Sequence, residues 1–485
     1  MTPMPEKRFR WLPIIFILLM LFVDGIGYFV SQAPTTQLFE DIACRRYYQS
    51  STITESLLCK APGVQREVAT IFGWQAFFDG IPSLILALWY GALADRYGRR
   101  GVLFLSMLGQ ALGMAWVLLI CWMDLPLKLT WFSSAFLVIG GGSTVTMAAC
   151  MMVVTDVTQE YNRSKVFFAC QATFLISEVI GPALGSIAMD SLGVWPPVLV
   201  GLVCTCVTVA LAGTIPETRS RESTKYTDSN TADSLDDVLS DPGSLKQSVF
   251  EMLSNTKHTL QIMCQNRSIL ILVASFLIVD FSRQSLTILL QYISKRYDIS
   301  LAKASYLLSY RGLATLIVYA AILPTLDTLV EKRLGLSAQM KDLQLARLSI
   351  ILSSLGFGIL FAAPSLKVII IALGFLTLGT GFGSFVRSLL SSVVEPDVIG
   401  TMYTTLSIMD SLGSIAAGPI VSGLFNISMD LEGVWVGIPF LSSFLLSCVI
   451  AVLVLAVRPA TLAAQQSEGT LDADDARSAL LPREV

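Results

Sequence analysis

Twelve apolar segments, each close to the length of a membrane-spanning helix, constrain this chain more than any other feature of its sequence. A helix needs about 20 apolar residues to cross the hydrocarbon core of a bilayer. Only 14% of the residues are charged, whereas a soluble protein carries about a quarter. Continuous apolar runs, rather than short alternating ones, favour helices over a barrel. We therefore predict an all-α membrane protein with twelve transmembrane helices at residues 11–32, 69–91, 101–123, 129–154, 166–189, 196–215, 268–293, 302–325, 346–364, 367–390, 400–425 and 436–458.

The polar segments divide these helices into two sets of six. Residues 216–267 are rich in Ser, Thr, Asp and Lys, which predicts a flexible linker with an amphipathic helix near 245–265. The predicted organisation is an N-terminus at 1–10, a six-helix half at 11–215 with an external loop at 33–68, the linker at 216–267, a second six-helix half at 268–458 and a disordered tail at 459–485.

The distribution of Lys and Arg predicts the orientation in the membrane. These residues are concentrated on the side of the linker, and cytoplasmic loops carry such an excess, so we predict that both termini are cytoplasmic. The first apolar segment follows Lys7, Arg8 and Arg10, as a signal peptide would. It is long, contains Asp24 and has no convincing cleavage site, so we predict that it is retained as a helix.

The two halves repeat short stretches of sequence in the same order. Leu21–Asp24 in the first segment resembles Leu277–Asp280 in the seventh, and Gly181-Pro182 in the fifth resembles Gly418-Pro419 in the eleventh. A further match joins the fourth and tenth segments, at 136–140 and 375–379. The shared order predicts two pseudo-symmetric halves, related as parallel repeats.

A charged loop joins the second and third segments, and it carries the clearest motif of the chain. Its positive charge is typical of a cytoplasmic loop, but charge bias alone requires neither its glycines nor its aspartate. The loop resembles the signature between the second and third helices of major facilitator superfamily transporters, at Gly91, Leu93, Asp95, Arg96, Gly98, Arg99 and Arg100. The resemblance implies the major facilitator fold, transport by alternating access, and a latch in which Asp95 contacts the start of the eleventh helix.

Two cysteines and one sequon lie on the predicted external side. Cys44 and Cys59 form a predicted disulfide in an oxidising space, the alternative being two free thiols. The residues that follow Cys44 resemble a group of fungal facilitators that are distantly similar to the proton-coupled folate and solute carrier 46 group. Asn426, in Asn426-Ile427-Ser428, is a predicted glycosylation site, unless it lies too close to the membrane to be modified.

Ionisable side chains within the predicted helices indicate where function resides, because each costs about 2.5–3.5 kcal/mol at the centre of a membrane helix. Asp24 and Glu178 have no cation nearby on their own helices, so we predict that they carry the coupling protons. Asp280 and Arg283 share a helix face, which predicts either a structural ion pair or a substrate contact. Asp79, Arg311 and Asp410 are expected nearer an interface.

The fifth segment carries a second motif, at Gly181, Pro182 and Gly185. It resembles the core of the fifth-helix motif of drug/proton antiporters, although Ser186 stands in place of its final glycine. The alternative is a proline kink with close helix packing.

The chain has no constellation typical of an enzyme, and we predict neither a metal nor a cofactor. Its only histidine, His258, lies in the linker, and its net charge of −3 indicates no nucleic-acid partner. We predict a monomeric secondary transporter in the plasma membrane, or else the vacuolar membrane, whose partners are a small-molecule substrate, protons and the lipid bilayer. Proton-coupled efflux of a metabolite or toxic compound is the preferred function. The alternatives are proton-coupled uptake of a nutrient or organic anion, and a membrane receptor that does not transport.

Overall fold

The computed structural model describes residues 11–49, 58–158, 160–217, 267–334, 337–393, 399–431 and 433–457. Within these residues, twelve helices are long and apolar enough to cross a membrane, which confirms the predicted fold class. They are α1 (Trp11–Tyr48), α2 (Pro62–Tyr97), α3 (Arg99–Trp122), α4 (Leu127–Val157), α5 (Glu160–Leu192), α6 (Trp195–Thr214), α7 (Arg267–Tyr297), α8 (301–334), α9 (Ala338–Ala362), α10 (Leu366–Val393), α11 (Ile399–Ser428) and α12 (Ile438–Ala456).

The first two helices are longer than the sequence predicted. The predicted external loop at 33–68 is helical up to Tyr48 and again from Pro62 onwards. Leu38, Phe39 and Ile42 in the extension of α1 are buried in a cluster that includes residues at the start of α2. This tertiary packing stabilises a helical extension that hydropathy alone could not delimit. Proline is also well suited to the first position of a helix, where α2 begins.

Four of the twelve helices contain irregular turns. In α4, Gly141 and Gly142 have φ angles of 76° and 70°, which interrupt the helix between Ile139 and Gly142. Glycine adopts this left-handed conformation without the steric penalty of a side chain. Tighter or wider turns occur at 285–288 in α7, 318–322 in α8 and 379–381 in α10. The interruptions of α4 and α10 lie at the ends of the repeated stretches 136–140 and 375–379, so they occupy equivalent places in the two halves.

The two halves are built in the same way. In the N-terminal half α1 packs mainly against α5 and α6, and in the C-terminal half α7 packs against α11 and α12. The halves meet where α2 packs on α11 and α5 packs on α8, two interfaces that the repeat makes equivalent. The predicted helix near 245–265 and the segments at 1–10 and 459–485 lie outside the described residues.

Candidate functional site

The disulfide predicted from the sequence is present, and it identifies one end of the helix bundle. Cys44 near the end of α1 is bonded to Cys59 just before α2, and both residues are buried. We call this the disulfide end, and the opposite end, where α6 leads into the linker, the linker end.

Two hydrogen bonds from serine side chains to backbone carbonyl groups join α5 to α8 near the disulfide end. The hydroxyl of Ser186 donates to the carbonyl of Ala302 at 2.7 Å, and the hydroxyl of Ser305 donates to the carbonyl of Pro182 at 2.9 Å. Both bonds are buried and connect the two halves of the protein. The serine that replaces the last glycine of the fifth-helix motif is therefore one of the residues that hold the halves together.

A buried ion pair links the same two helices closer to the middle of the bundle. Arg311 on α8 donates to Oε1 of Glu178 on α5 from Nη2 at 2.6 Å and from Nε at 3.1 Å. The Glu178 side chain is 8% exposed and that of Arg311 is 26% exposed. A β-carbon at residue 312 would lie 2.9–3.0 Å from Glu178, so Gly312 permits this approach. Glu178 has no cation nearby on its own helix, as its sequence indicated, but the other half supplies one.

An exposed tyrosine lies near this ion pair. Tyr28 on α1 interacts electrostatically with both Arg311 and Glu178, which places its phenol group nearby. Yet 59% of the surface of Tyr28 is exposed, although the residue lies well inside α1. The ion pair therefore has an accessible aromatic side chain close to it.

The interface between α2 and α11 is also held by polar contacts near the disulfide end. Arg66 forms an ion pair with Asp430, and its Nε donates to the carbonyl of Asn426 at 3.1 Å. The side-chain amide of Asn426 donates to the hydroxyl of Thr70 at 2.8 Å. A glycan would be attached to this same nitrogen, and the glycosylation of Asn426 stays a prediction.

A third contact between the halves lies at the outermost part of the disulfide end. The Lys60 ammonium group is 3.2 Å from the carboxylate of Asp298 and donates to the carbonyl of Ile299. Lys295 donates to the carbonyl of Lys60 at 2.6 Å. Together with the contacts of α5–α8 and α2–α11, these bonds close the disulfide end of the molecule.

The C-terminal half contains a network of four charged side chains. Asp280 on α7 is paired with Arg283, as the sequence predicted, and Arg387 on α10 is 2.7 Å from Asp410 on α11. Asp280 and Asp410 lie on helices that pack against each other and interact electrostatically. Asp410 therefore belongs to a network of charged side chains in which the carboxyl groups are more buried than Arg283 and Arg387. Arg387 was missed, although a lone arginine in an apolar segment was a usable signal.

No partner is described for the carboxyl group of Asp24 on α1. Within the described part of the chain, it forms neither an ion pair nor a hydrogen bond. Its electrostatic neighbours are the thiols of Cys150 on α4 and Cys204 on α6, both in its own half. These contacts do not bring Asp24 against the opposite half, and its role as a proton carrier stays a prediction.

The glycines of the fifth-helix motif pack α5 against α1. A β-carbon at Gly181 would collide with Phe29, and one at Gly185 would collide with the backbone of Val30. Pro182 lies within the continuous helix α5. The two glycines thus allow close helix packing, which was the alternative interpretation of the motif. A role of the motif in antiport stays a prediction.

The signature loop forms a sharp connection between α2 and α3. Gly98 has a φ angle of 108°, and the carboxylate of Glu217 accepts hydrogen bonds from the backbone N–H groups of Arg99 and Arg100. Arg99 also lies 3.3 Å from Asp156 on α4. Neither Glu217 nor Asp156 was predicted as a partner from the sequence. The side chains of Asp95 and Arg96 lie outside the described residues, so the proposed latch is not tested.

These groups can bind protons and hold two halves together, but they do not form a catalytic site. Within the described residues, no cluster of His, Cys, Asp or Glu has the spacing to hold a metal ion. Apart from Asp24 and from Asp79, which accepts hydrogen bonds from Gln75 and Ser134, these charged groups are carboxylates and guanidinium groups that face one another within a half or across the interface. Such pairs are typical of proteins that change conformation as protons or substrates bind.

Comparison with known proteins agrees with this architecture. The sequence profile described as Major Facilitator Superfamily matches residues 61–385. The chain is 35% identical over 450 residues to the MFS efflux pump atnC of Emericella nidulans, covering 89% of this chain and 85% of that protein. It is 27% identical over 439 residues to the efflux pump ustT of Aspergillus flavus, covering 87% and 83%.

The fold is also similar to that of solved transporter structures. A crystal structure of a mutant of the nucleoside transporter NupG matches with a TM-score of 0.64 and 12% identity, covering 92% of this chain and 99% of that one. At this identity the likeness shows the fold alone. The extent of the profile match and the identity to the fungal relatives show more: this chain belongs to the Major Facilitator Superfamily and is a secondary transporter, not an enzyme.

Proposed function

We propose that the protein exports a small organic molecule in exchange for protons, and that the ion pair between Glu178 and Arg311 couples the two movements. This pair is the observation that carries the proposal. It is buried, it joins the two halves, and the exposed Tyr28 lies near it. A proton on Glu178 would remove its charge and with it the main attraction to Arg311.

The chemistry of this pair gives a reason for coupling. Removing one partner of a buried ion pair destabilises the arrangement by about 3–5 kcal/mol, because the other charge is left uncompensated. Protonation of Glu178 therefore favours separation of α5 from α8, and deprotonation favours the closed disulfide end. Alternating access requires a change of this kind at one end of the molecule, with the halves rocking about a site between them.

Asp24 is proposed as a second proton carrier. An unpaired carboxyl group in an apolar bundle is most stable in its neutral form, and no partner for Asp24 is described. Its place in α1 corresponds to that of Asp280 in α7, and Asp280 has a cation where Asp24 has none. Replacement of Asp24 by Asn should therefore impair proton coupling while leaving the fold intact.

The direction of transport and the membrane are part of the same proposal. Two similar fungal proteins are named efflux pumps, and we extend that direction to this chain. The positive charge of the signature loop supports a cytoplasmic linker end with both termini cytoplasmic. The disulfide end then faces the oxidising exterior, as expected for a plasma membrane protein. The protein is proposed to work as a monomer.

Reconstituted vesicles provide the test. Vesicles containing the full-length protein and the pH-sensitive dye pyranine are given an acidic lumen and an organic extract of a filamentous fungal culture. Mass spectrometry then identifies the compounds that accumulate inside, and pyranine reports the protons that leave. We expect accumulation that a protonophore abolishes. Glu178→Gln should lose accumulation but retain exchange of a preloaded compound.

The controls separate this proposal from its rivals. Asp190→Asn removes an exposed carboxyl group at the end of the same helix and should transport like the wild type. Accumulation only in vesicles with an alkaline lumen would show proton-coupled uptake instead. Unchanged pH-driven accumulation in both Glu178→Gln and Asp24→Asn would exclude these residues as proton carriers.

A further inference from the structure

We infer that Arg283 binds the negatively charged group of the transported molecule, which is therefore an organic acid. Arg283 lies near the middle of α7, which runs from Arg267 to Tyr297, yet its side chain is 74% exposed. A charged side chain at this depth faces the interior of a helix bundle or a water-filled cavity, because exposure to lipid is costly. The inference rests on the proposed function and deepens it by naming the class of molecule.

The two halves pack together at the disulfide end and separate toward the linker end. One buried hydrophobic cluster contains residues of both halves, and its N-terminal members, Ala33, Ala69 and Met189, lie in the parts of α1, α2 and α5 toward the disulfide end. The two large clusters near the linker end each belong to one half, within residues 14–215 and within residues 269–457. In the part of the chain that the structure describes, water can therefore enter between the halves from the linker end.

The equivalent packing of α1 and α7 indicates which side of α7 carries Arg283. A β-carbon at Gly27 of α1 would collide with α6, and Ser282 of α7 lies against α12. The next residue on each helix, Tyr28 or Arg283, is exposed, and the repeated stretches align these two positions to within one residue. Tyr28 interacts with the ion pair between α5 and α8, so it points toward the opposite half. By the same packing, Arg283 points from the C-terminal half toward the N-terminal half.

The arginine is the more exposed partner in each of three ion pairs within the membrane helices. The side chains are 74% against 9% exposed for Arg283 and Asp280, 41% against 22% for Arg387 and Asp410, and 26% against 8% for Arg311 and Glu178. All three arginines belong to the C-terminal half. Because the carboxylates are the more buried groups, the charge that this half presents to water between the halves is positive. Arg283 is the most accessible part of that charge.

Arg283 also keeps hydrogen-bond donors for a further partner. A guanidinium group carries five N–H donors in a planar fork. Among the described residues, its one hydrogen-bond partner is Asp280, which accepts from Nη2 through Oδ1. The planar fork matches two oxygens of a carboxylate or phosphate group, and such charge-assisted bonds are stronger than neutral ones. The remaining donors of Arg283 can therefore bind the acid group of a transported molecule.

Binding to the purified full-length protein in detergent tests this inference without a pH gradient. The probes are the acidic fraction of an organic extract of a filamentous fungal culture, the same fraction after methylation of its acid groups, and the neutral fraction. Compounds that the immobilised protein retains at neutral pH are identified by mass spectrometry. We expect the protein to retain compounds of the acidic fraction and to lose them after methylation.

Variants separate a binding role of Arg283 from a structural one. Arg283→Gln should weaken retention of acidic compounds roughly 10- to 100-fold, the loss expected for a charge-assisted hydrogen bond. Asp280→Asn should strengthen retention, because it removes the carboxylate that competes for the guanidinium group. If Arg283→Gln does not fold, the double variant with Asp280→Asn leaves no buried charge unpaired and should lose retention in the same way. Lys367→Gln removes an exposed cation at the start of α10 and should bind like the wild type.

Three outcomes would overturn the inference. They are retention of no acidic compound by the wild type, wild-type retention by Arg283→Gln, and equal losses in Arg283→Gln and Asp280→Asn, which would show that the ion pair is only structural. Retention of acidic compounds by a protein without pH-driven accumulation would refute the proposed function and leave the anion site standing. Accumulation of neutral compounds alone, driven by the pH gradient, would refute the anion site and leave the proposed function standing.

Discussion

Glu178→Gln should shift the protein away from the conformation with a closed disulfide end. Removing one partner of a buried ion pair costs about 3–5 kcal/mol. Arg311 is 26% exposed, and glutamine keeps one carbonyl acceptor, so the lower end of this range applies, about 3 kcal/mol. Because about 1.4 kcal/mol corresponds to a factor of ten, the closed conformation should lose roughly 100-fold in relative population.

Distance measurements between spin labels can detect this shift. Asp190 at the end of α5 and Lys303 at the start of α8 are both exposed at the disulfide end. Each is replaced by cysteine and labelled, in a protein that retains only the Cys44–Cys59 disulfide among its native cysteines. We expect one short distance in the parent protein and a predominant longer distance after Glu178→Gln.

Two further variants establish whether the charge is responsible. The double variant with Glu178→Gln and Arg311→Gln should recover part of the short distance, because no uncompensated charge remains. Ser305→Ala removes only a neutral hydrogen bond at the same interface, worth about 0.5–1.5 kcal/mol, and should have a smaller effect. If Glu178→Gln leaves the distance distribution unchanged, the ion pair does not hold the closed conformation and the reasoning is refuted.

Three other predictions concern the two ends of the molecule. Cys44 and Cys59 should react with an added thiol reagent only after reduction, and labelling of the unreduced protein would contradict the disulfide. Replacement of both cysteines by serine should lower the free energy of unfolding by about 3 kcal/mol, checked by thermal denaturation in detergent. Asp95→Asn should leave the surface level unchanged but reduce transport, so wild-type rates at equal surface level would exclude the latch. Glu217→Gln should weaken the start of α3 by about 0.5–2 kcal/mol, measured as faster hydrogen exchange at the amide of Arg99, and an unchanged exchange rate would show that this cap is not important.

The helices, the repeat and the disulfide could be predicted from the sequence. Each depends on information that is local in the chain. A segment in lipid must satisfy its own backbone hydrogen bonds, so about 20 apolar residues already determine a helix. The bonded cysteines are separated by 15 residues and lie in one predicted segment. The lengths of α1 and α2 were less predictable, because packing between the two helices decides how far each continues beyond the apolar segment.

Most charged residues inside the membrane helices were identified from the sequence, but the ion pairs that they form were only partly predicted. Asp280 and Arg283 are three residues apart and share a helix face, so their contact follows from helix geometry. Arg311 is 133 residues from Glu178 and lies in the other half, so no pattern along the chain could pair them. The same applies to Arg387 and Asp410, which lie on separate helices.

The sequence by itself determined that this protein is a twelve-helix bundle with two repeated halves, and its signature loop identified the family. The tertiary structure alone decided which carboxyl groups have a cation and which do not. The reason is physical: a membrane helix forms from its own composition, but the cost of a buried charge depends on which side chains neighbouring helices bring to it. Glu178 has no cation on its own helix and is paired across the two halves, whereas Asp24 has no described partner.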